Sequence, residues 1–580
     1  MTDLVLGPML RHVGERHATI WVEVDAPAEV EVLGHTAGTF QVGGHHYALV
    51  VVEGLAPGST TRYGVSVNGR AVWPPVGESL PPSVIRTLPP RSSAARLRLA
   101  FGSCRLALPH GPAPGLAHAG LSRRSRRIAG RADALRALAL RVAASPHERW
   151  PDLLLLLGDQ IYADSPGPST RAFIRGRRDA SRPPGMQVAD FEEYARLYRE
   201  TWGDPAVRWL LSTVPTAMIF DDHEICNDWN ISAAWVADMR AQPWWEECIT
   251  SGLASYWLYQ HLGNLSPEEL AADPVYREVL RARDATGVLR EHARRTHRGE
   301  GGWRSSHRRD LGGTRLVAID SRNARVLEPG RRAMLTEDGW RWAGEQLTGG
   351  VDHLVVATSL PFALPHGAHH LEALSEALGD GTWGGLVARA AERLRRWIGL
   401  EHWAAFHGSF NRLGTLLTAV AEGRRGAAPG SIALLSGDVH YAYLAELLPS
   451  RPSASPIYQA VCSPFRNELS GRLRLATRLA FTGPMALTLR ALARLAGVEP
   501  DAVAWRILGG PHFVNQVGTL ELEGRAARLR IERAVVGAGG APRLEPLLEH
   551  RGSGGLKSEA PATVPGREAE PSVSPPVELP

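Results

Sequence analysis

The stretch "IFDDHEICNDW", residues 219–229, places Asp221, Asp222, His223 and Glu224 directly behind two apolar residues, with Asn227 and Asp228 just beyond. Carboxylates and an imidazole packed this tightly repel or strand one another unless a positive group holds them. A metal cation is the expected answer. Asp222 is a candidate ligand, and His223 either ligates or donates a proton to a leaving group. A second burst, "LLLLLGDQIYAD", sets Asp159 behind an apolar run, with Tyr162 and Asp164 following. A carboxylate there can bridge two cations and a phenolate can bind a hard trivalent metal; the bland alternative is a helix-capping turn aspartate. In "LLSGDVHYAY", Asp438 and His440 fall on the same side of an extended segment, so one can complete a metal shell while the other orients it. "FGSCR" adds Cys104, a soft ligand or an inert packed thiol, and Arg105, whose planar fork suits phosphate.

The elements that position these residues are legible as seven apolar runs: "RLRLAFGSCR", "PDLLLLLGDQIY", "VPTAMIFDDHE", "GTRLVAIDSRN", "DHLVVATSLPF", "GSIALLSGDVH" and "PIYQAVCSPFRN". Continuously apolar strands are buried on both faces, which predicts a layered α/β domain. Each run ends in polar residues, and ligands in such sheets gather at the carboxyl ends of strands, so the seven ends describe one shared site. Residues 1–90 instead show short alternating segments, such as "ATIWVEV" and "TTRYGVSV", which predict a small antiparallel sandwich. "LPPRSS", residues 88–93, reads as a linker to a catalytic domain spanning 91–548. "VNQVGTLELEG" and "AARLRIERA" predict a hairpin that closes this domain, and the Pro- and Ser-rich residues 549–580 predict a disordered tail.

A chain of 580 residues with 44% hydrophobic and 22% charged residues is globular and long enough for more than one core. Its net charge of +5 is small and rests almost wholly on arginine, Lys557 being the single lysine, so no nucleic-acid partner is expected. Cys104, Cys226, Cys248 and Cys462 match neither a zinc CxxC pattern nor a disulfide framework. The N-terminus lacks a basic stretch followed by an apolar run, which predicts a cytoplasmic protein. GxSxG and P-loop patterns are absent, so serine-hydrolase and nucleotide-triphosphatase readings lack their motifs. "LPHGAHHLE", with His366, His369 and His370, is expected as a pocket-lining loop rather than a zinc site. Residues 472–498 hold five arginines and no acid; Pro484 should split them into two helices, a cover for the domain or a peripheral membrane contact.

Taken in order, GSCR, GDQIYAD, DDHE with a following Asn, and SGDVH resemble the PhoD-like alkaline phosphatases of the calcineurin-like metallophosphoesterase superfamily. The resemblance covers residues of roughly 95 to 540, and an N-terminal β-sandwich of immunoglobulin or fibronectin type is usual in that family. It implies a layered metallophosphoesterase β-sandwich flanked by helices. It implies Fe3+ held by Cys104, Asp159 and Tyr162, with Asp159 bridging to Ca2+, though other divalent metals would also fit. Asp222 and His440 would join the metal shell, with Asp221 and Asn227 as further members. His223 would act on the leaving group and Arg105 would hold phosphate. GSC stands where the wider superfamily has DxH, and GDVH where it has GHxH, so Asp438 replaces a histidine. The expectation is a metal-dependent phosphomonoesterase or phosphodiesterase using a metal-activated hydroxide on a small phosphate ester. The alternative is a non-catalytic phosphate- or lipid-binding protein on the same fold.

Overall fold

Each of the seven apolar runs forms a strand, and the seven divide between two sheets. In the computed structural model, which describes residues 2–90, 96–110 and 123–552, Leu97–Gly102, Leu153–Leu156 and Thr216–Met218 run parallel in a six-stranded sheet. Thr314–Ile319, His353–Thr358, Ser431–Ser436 and Ile457–Val461 run parallel in a seven-stranded one. Every residue of Leu153–Leu156, His353–Thr358, Ser431–Ser436 and Ile457–Val461 is buried, as strands covered on both faces require. One apolar cluster draws on both sheets, taking Leu99, Phe101 and Leu155 from the first and Val355, Leu435 and Ala460 from the second.

Parallel neighbours need crossover connections, and local capping sets where the crossover helices start. Asp133 accepts from the backbone N–H groups of Leu135 and Arg136 to open the helix Ala134–Ala143. Asp204 does the same for Pro205–Thr213, so each helix begins where a short side chain satisfies its first free donors. The helix His366–Gly379 follows the His353–Thr358 strand. It occupies the "LPHGAHHLE" segment expected as a loop, because the residues after Pro365 continue as an unbroken helical run that buries Gly367, His369, His370 and Ala373.

Antiparallel strands widen both sheets. The expected hairpin is present as Gln516–Glu523 paired with Ala526–Val536, but a further strand, Pro542–Gly552, continues the sheet. The domain boundary drawn at 548–549 therefore falls inside a strand, whose Leu544 packs against the helical core; the rest of the expected tail, and residues 91–93 of the linker, lie outside the described residues.

Residues 4–86 form antiparallel sheets around Ile20, Val22, Val30, Val50 and Val65. This unit does not stand off from the rest. All seven residues of Ala18–Val24 are buried, because Trp21, Tyr47 and Leu49 on one face join the large cluster formed with the helices of residues 191–293. Even Glu23 is covered, its carboxylate held by Arg199 at 2.6 Å. Pro484 does divide the basic stretch: Gly471–Ala480 and Gly483–Leu495 are separate helices, with the proline in the first turn of the second. Among the described residues no helix is long and apolar enough to cross a membrane.

Candidate metal centre

The polar ends of the parallel strands meet. Cys104 follows Leu97–Gly102, Asp159 follows Leu153–Leu156, Asp221 and Asp222 follow Thr216–Met218, and Asp438 follows Ser431–Ser436. Two glycines permit the approach. Gly158 has φ +103° and a Cβ there would lie 2.5 Å from the Asp221 Cβ; a Cβ on Gly437 would lie 2.1 Å from Ser103 Oγ, across the two sheets. Only hydrogen in these places lets Asp159 close on Asp221 and Asp438 close on Cys104. The backbone is strained at the same spot. Cys104 (φ +59°), Asp159 (+51°), Asp228 (+58°), Asn230 (+60°), Asp438 (+63°) and His440 (+58°) are six of the eight described non-glycine residues with positive φ. Each such residue costs about 1–3 kcal/mol, so the surrounding packing holds them there against local preference.

Carboxylate oxygens of Asp159, Asp221, Asp222 and Asp438 lie within 4.8 Å of one another, and a ring nitrogen of His223 comes within the same distance of Asp159 and Asp222. The Cys104 thiol donates to Asp159 Oδ2 at 3.3 Å and the Tyr162 hydroxyl donates to the same oxygen at 3.1 Å. Asp159 Oδ1, Asp221 Oδ2 and Asp222 Oδ1 are buried and accept no hydrogen bond. A buried carboxylate oxygen without a donor is costly, and three of them around one space fit a bound cation.

The Arg322 guanidinium is threaded through the cluster. It is fully buried, donates from Nε to Asp221 Oδ1 at 2.5 Å, pairs with Glu401, and lies 3.3 Å from Asp222 and 3.5 Å from Asp438. Four acids share it, so negative charge remains in excess. The titration behaviour follows. Burial, then the neighbouring carboxylates, pushes Asp159 and Asp221 well above the usual carboxylate range, although His223 and Arg322 respectively pull against this. Burial, Glu401 and Asp222 raise Asp228 to about 8. Burial and the charges of Asp159 and Asp438 raise the Cys104 thiol, and burial and Asp159 raise the Tyr162 hydroxyl. Asp438 moves the other way: burial is outweighed by His402, Arg322 and His440, which hold it ionised.

Glu224 works as a clamp. Its carboxylate accepts the backbone N–H groups of Gln160 at 2.8 Å and Asp221 at 2.9 Å, and the Gln260 amide at 3.1 Å, tying two strand ends together. His223 Nδ1 lies 2.9 Å from Asp164 Oδ1. Asp164 is held below its usual range, chiefly by His223 acting against burial, so the carboxylate accepts and Nδ1 carries the proton. Burial alone would lower His223, but Asp164, Asp159 and Asp222 together raise it well above 6.5.

The structure thus gathers Cys104, Asp159, Tyr162, Asp221, Asp222 and His223, with His440 flanking Asp438. It does not bring Arg105 there. That guanidinium is buried against Asp133 at 2.9 Å and donates to the Thr201 carbonyl at 2.6 Å. The position beside Asp222 belongs to Asp228, whose N–H donates to Asp222 Oδ2 at 2.6 Å, while the neighbouring Asn227 is exposed and its N–H donates to Asp164. Sequence reasoning missed Arg322, Glu401 and His402. Arg322 sits in the polar end of a quoted run, so the strand-end pattern could have flagged it; Glu401 and His402 follow a helix and carry no such signal. His402 links Glu372 (2.6 Å) to Asp438 (3.2 Å). His369, on the same helix as Glu372, pairs with Asp501 at 2.9 Å, and His407 pairs with it at 3.0 Å, one oxygen accepting both.

Residues 137–279 match the family of PhoD-like phosphatases, a segment that contains Asp159, Tyr162, Asp221, Asp222 and His223. That match spans about a quarter of the chain and marks the segment as similar to the PhoD-like phosphatases. Residues 1–85 match a domain of unknown function, DUF7800. The solved "Structure of PhoD" superposes with a TM-score of 0.57 over 96% of this chain and 94% of its own, at 12% identity, a likeness of fold. No curated protein matches the chain.

Proposed function

We propose that this chain hydrolyses phosphoric esters at the carboxylate cluster, with cations held by Asp159, Asp221, Asp222 and Asp438, and with Cys104, Tyr162 and His440 completing the shell. The observation that carries the reading is the trio of buried, donorless oxygens on Asp159, Asp221 and Asp222. Cations held there supply Lewis acidity toward phosphoryl oxygens and acidify coordinated water.

The protein's own groups do the rest. Arg322 fixes the orientation of Asp221 through Oδ1 and leaves Asp221 Oδ2 and Asp159 Oδ1 free for ligation, while its Nη2 stands 3.3 Å from Asp222 Oδ1. Glu224 locks the two strand ends, so the ligand geometry is set before substrate arrives. His223, whose Nδ1–H donates to the Asp164 carboxylate and which that carboxylate helps hold above its usual range, presents a charged imidazole that can protonate a leaving alkoxide. Arg105 has no part in this scheme. By resemblance the metals would be Fe3+ and Ca2+, the two sheets the superfamily's layered core, and residues 1–90 an N-terminal β-domain packed against it.

Metal analysis of the purified chain, alongside a panel of mono-, di- and triesters, tests the reading. Stoichiometric metal, ester hydrolysis abolished by chelation, and a visible band removed by Tyr162→Phe are expected. Undiminished hydrolysis by metal-free protein refutes metal-dependent chemistry at this site. Absence of any hydrolysis by the loaded protein favours the non-catalytic binder.

A further inference from the structure

Exposed apolar surface is concentrated on one group of helices. Of the seventeen large hydrophobic side chains exposed among the described residues, twelve fall within residues 383–398 and 473–495. The helices concerned are Gly385–Ile398, Gly471–Ala480 and Gly483–Leu495. All three lie against His366–Gly379. Gly483–Leu495 packs on it through Leu489, Ala493 and Leu374. Arg395 of Gly385–Ile398 donates to its Ser375 carbonyl at 2.9 Å, and a Cβ on its Gly367 would lie 2.7 Å from the Ala480 carbonyl oxygen. One buried helix therefore carries three exposed ones.

What the three present outward is unusual for a water-facing surface. Gly471–Ala480 buries no residue at all, and Leu473, Leu475 and Leu479 are 55%, 62% and 48% exposed. Leu487 and Leu495 are 68% and 74% exposed, and Trp397 is 81% exposed. Interleaved with them are Arg389, Arg393, Arg472, Arg478, Arg490 and Arg494, which form no ion pair among the described residues. No acid lies anywhere between residues 472 and 498. Exposed apolar side chains concentrated on helices that share one support mark a binding surface, and arginines without ion pairs among leucine and tryptophan state what it binds.

We propose that this face docks the protein onto an anionic lipid surface. Leu475, Leu487 and Trp397 enter the apolar layer while the arginines meet lipid phosphates. Short helices rich in leucine and arginine lie in the headgroup plane rather than spanning it; among the described residues no helix is long and apolar enough to cross. Tryptophan favours the same interfacial depth. A second copy of the chain is a poorer occupant, since self-association through this face sets arginine against arginine. The supporting helix also bears Glu372, which pairs with His402 beside Asp438, so the face and the candidate centre share one element. The inference is independent of the hydrolytic reading, because binding is read without turnover.

The test is co-sedimentation of the full chain with phosphatidylcholine vesicles, with and without phosphatidylglycerol. Binding only to the anionic vesicles, weakened by salt, is expected. Arg478→Gln with Arg490→Gln should reduce partitioning roughly twenty-five-fold, at about fivefold for each arginine near an anionic surface. Leu475→Gln with Leu487→Gln should reduce it at least about tenfold. These side chains are exposed, and unchanged thermal unfolding of both variants checks that the fold is intact. No sedimentation with anionic vesicles, equal binding to neutral ones, or self-association in sedimentation velocity that the leucine substitutions abolish would each overturn the proposal.

Discussion

Replacing Asp159 by Asn should change stability in opposite directions in the metal-free and metal-loaded protein. Asp159 has one oxygen satisfied by Cys104 and Tyr162 and one with no donor. The oxygens of Asp221, Asp222 and Asp438 lie within 4.8 Å of it. At an effective permittivity of about 20, two unit charges that far apart repel by roughly 3 kcal/mol. Arg322 offsets part of this, being shared among Asp221, Asp222, Glu401 and Asp438. Asparagine keeps an acceptor for Cys104 and Tyr162 and places an N–H donor where the orphaned oxygen was. The metal-free variant should therefore be more stable than the parent by about 1–3 kcal/mol. Burial and the neighbouring acids raise Asp159; a group raised in the folded state is protonated at low pH, so the gain should appear as pH rises and the parent ionises. In the loaded protein the same change would remove a negative charge from the set that would hold the cations, and the variant should lose metal and become the less stable of the two. Urea unfolding of both proteins above neutral pH, once with chelator and once with saturating metal, measures the two differences. Destabilisation of equal size in both states would refute the reasoning, since it would mean that fixed polar partners, rather than a cation, hold Asp159.

Arg322→Met should destabilise the metal-free protein by about 3–5 kcal/mol, the usual cost of stranding buried charges, and metal should restore part of the loss; denaturation midpoints with and without metal check both. His223→Ala should slow esters with poor leaving groups by about 10²–10⁴-fold while sparing nitrophenyl esters, because a good leaving group needs little protonation, and its metal content should stay at the parental level. Equal loss on both ester classes together with lost metal would instead make His223 a ligand. Away from the site, burial raises Glu376 to about 7 against Arg332 and the His407 N–H. Its folded-state value exceeds the unfolded one, so its contribution to stability is present below about pH 4.5 and is lost as pH rises through about 7, a span of about 3 kcal/mol. Glu376→Gln should therefore stabilise the protein at pH 8 and leave it nearly unchanged at pH 4, and a pH-independent difference in unfolding free energy would contradict this.

The sequence by itself determined the seven parallel strands and the residues at their ends. A strand covered on both faces must be apolar throughout, so burial is written locally, and the polar residues that break most of the runs mark the strand ends that gather into the carboxylate cluster. Cys104, Asp159, Asp221, Asp222 and Asp438 were legible for that reason. The basic, proline-split segment 472–498 was legible too, though its partner helix Gly385–Ile398 was not. Tertiary structure alone decided which charges compensate which. Arg105 and Arg322 both follow apolar strands and both look able to face the centre. One turns into Asp133; the other, 101 residues from Asp221 along the chain, is threaded among the carboxylates. Likewise Asp228 rather than Asn227 donates to Asp222, because the left-handed turn at Asp228 points its N–H inward. Charge compensation depends on distances of a few ångströms between residues far apart in the chain, and those distances exist only after the two sheets have packed.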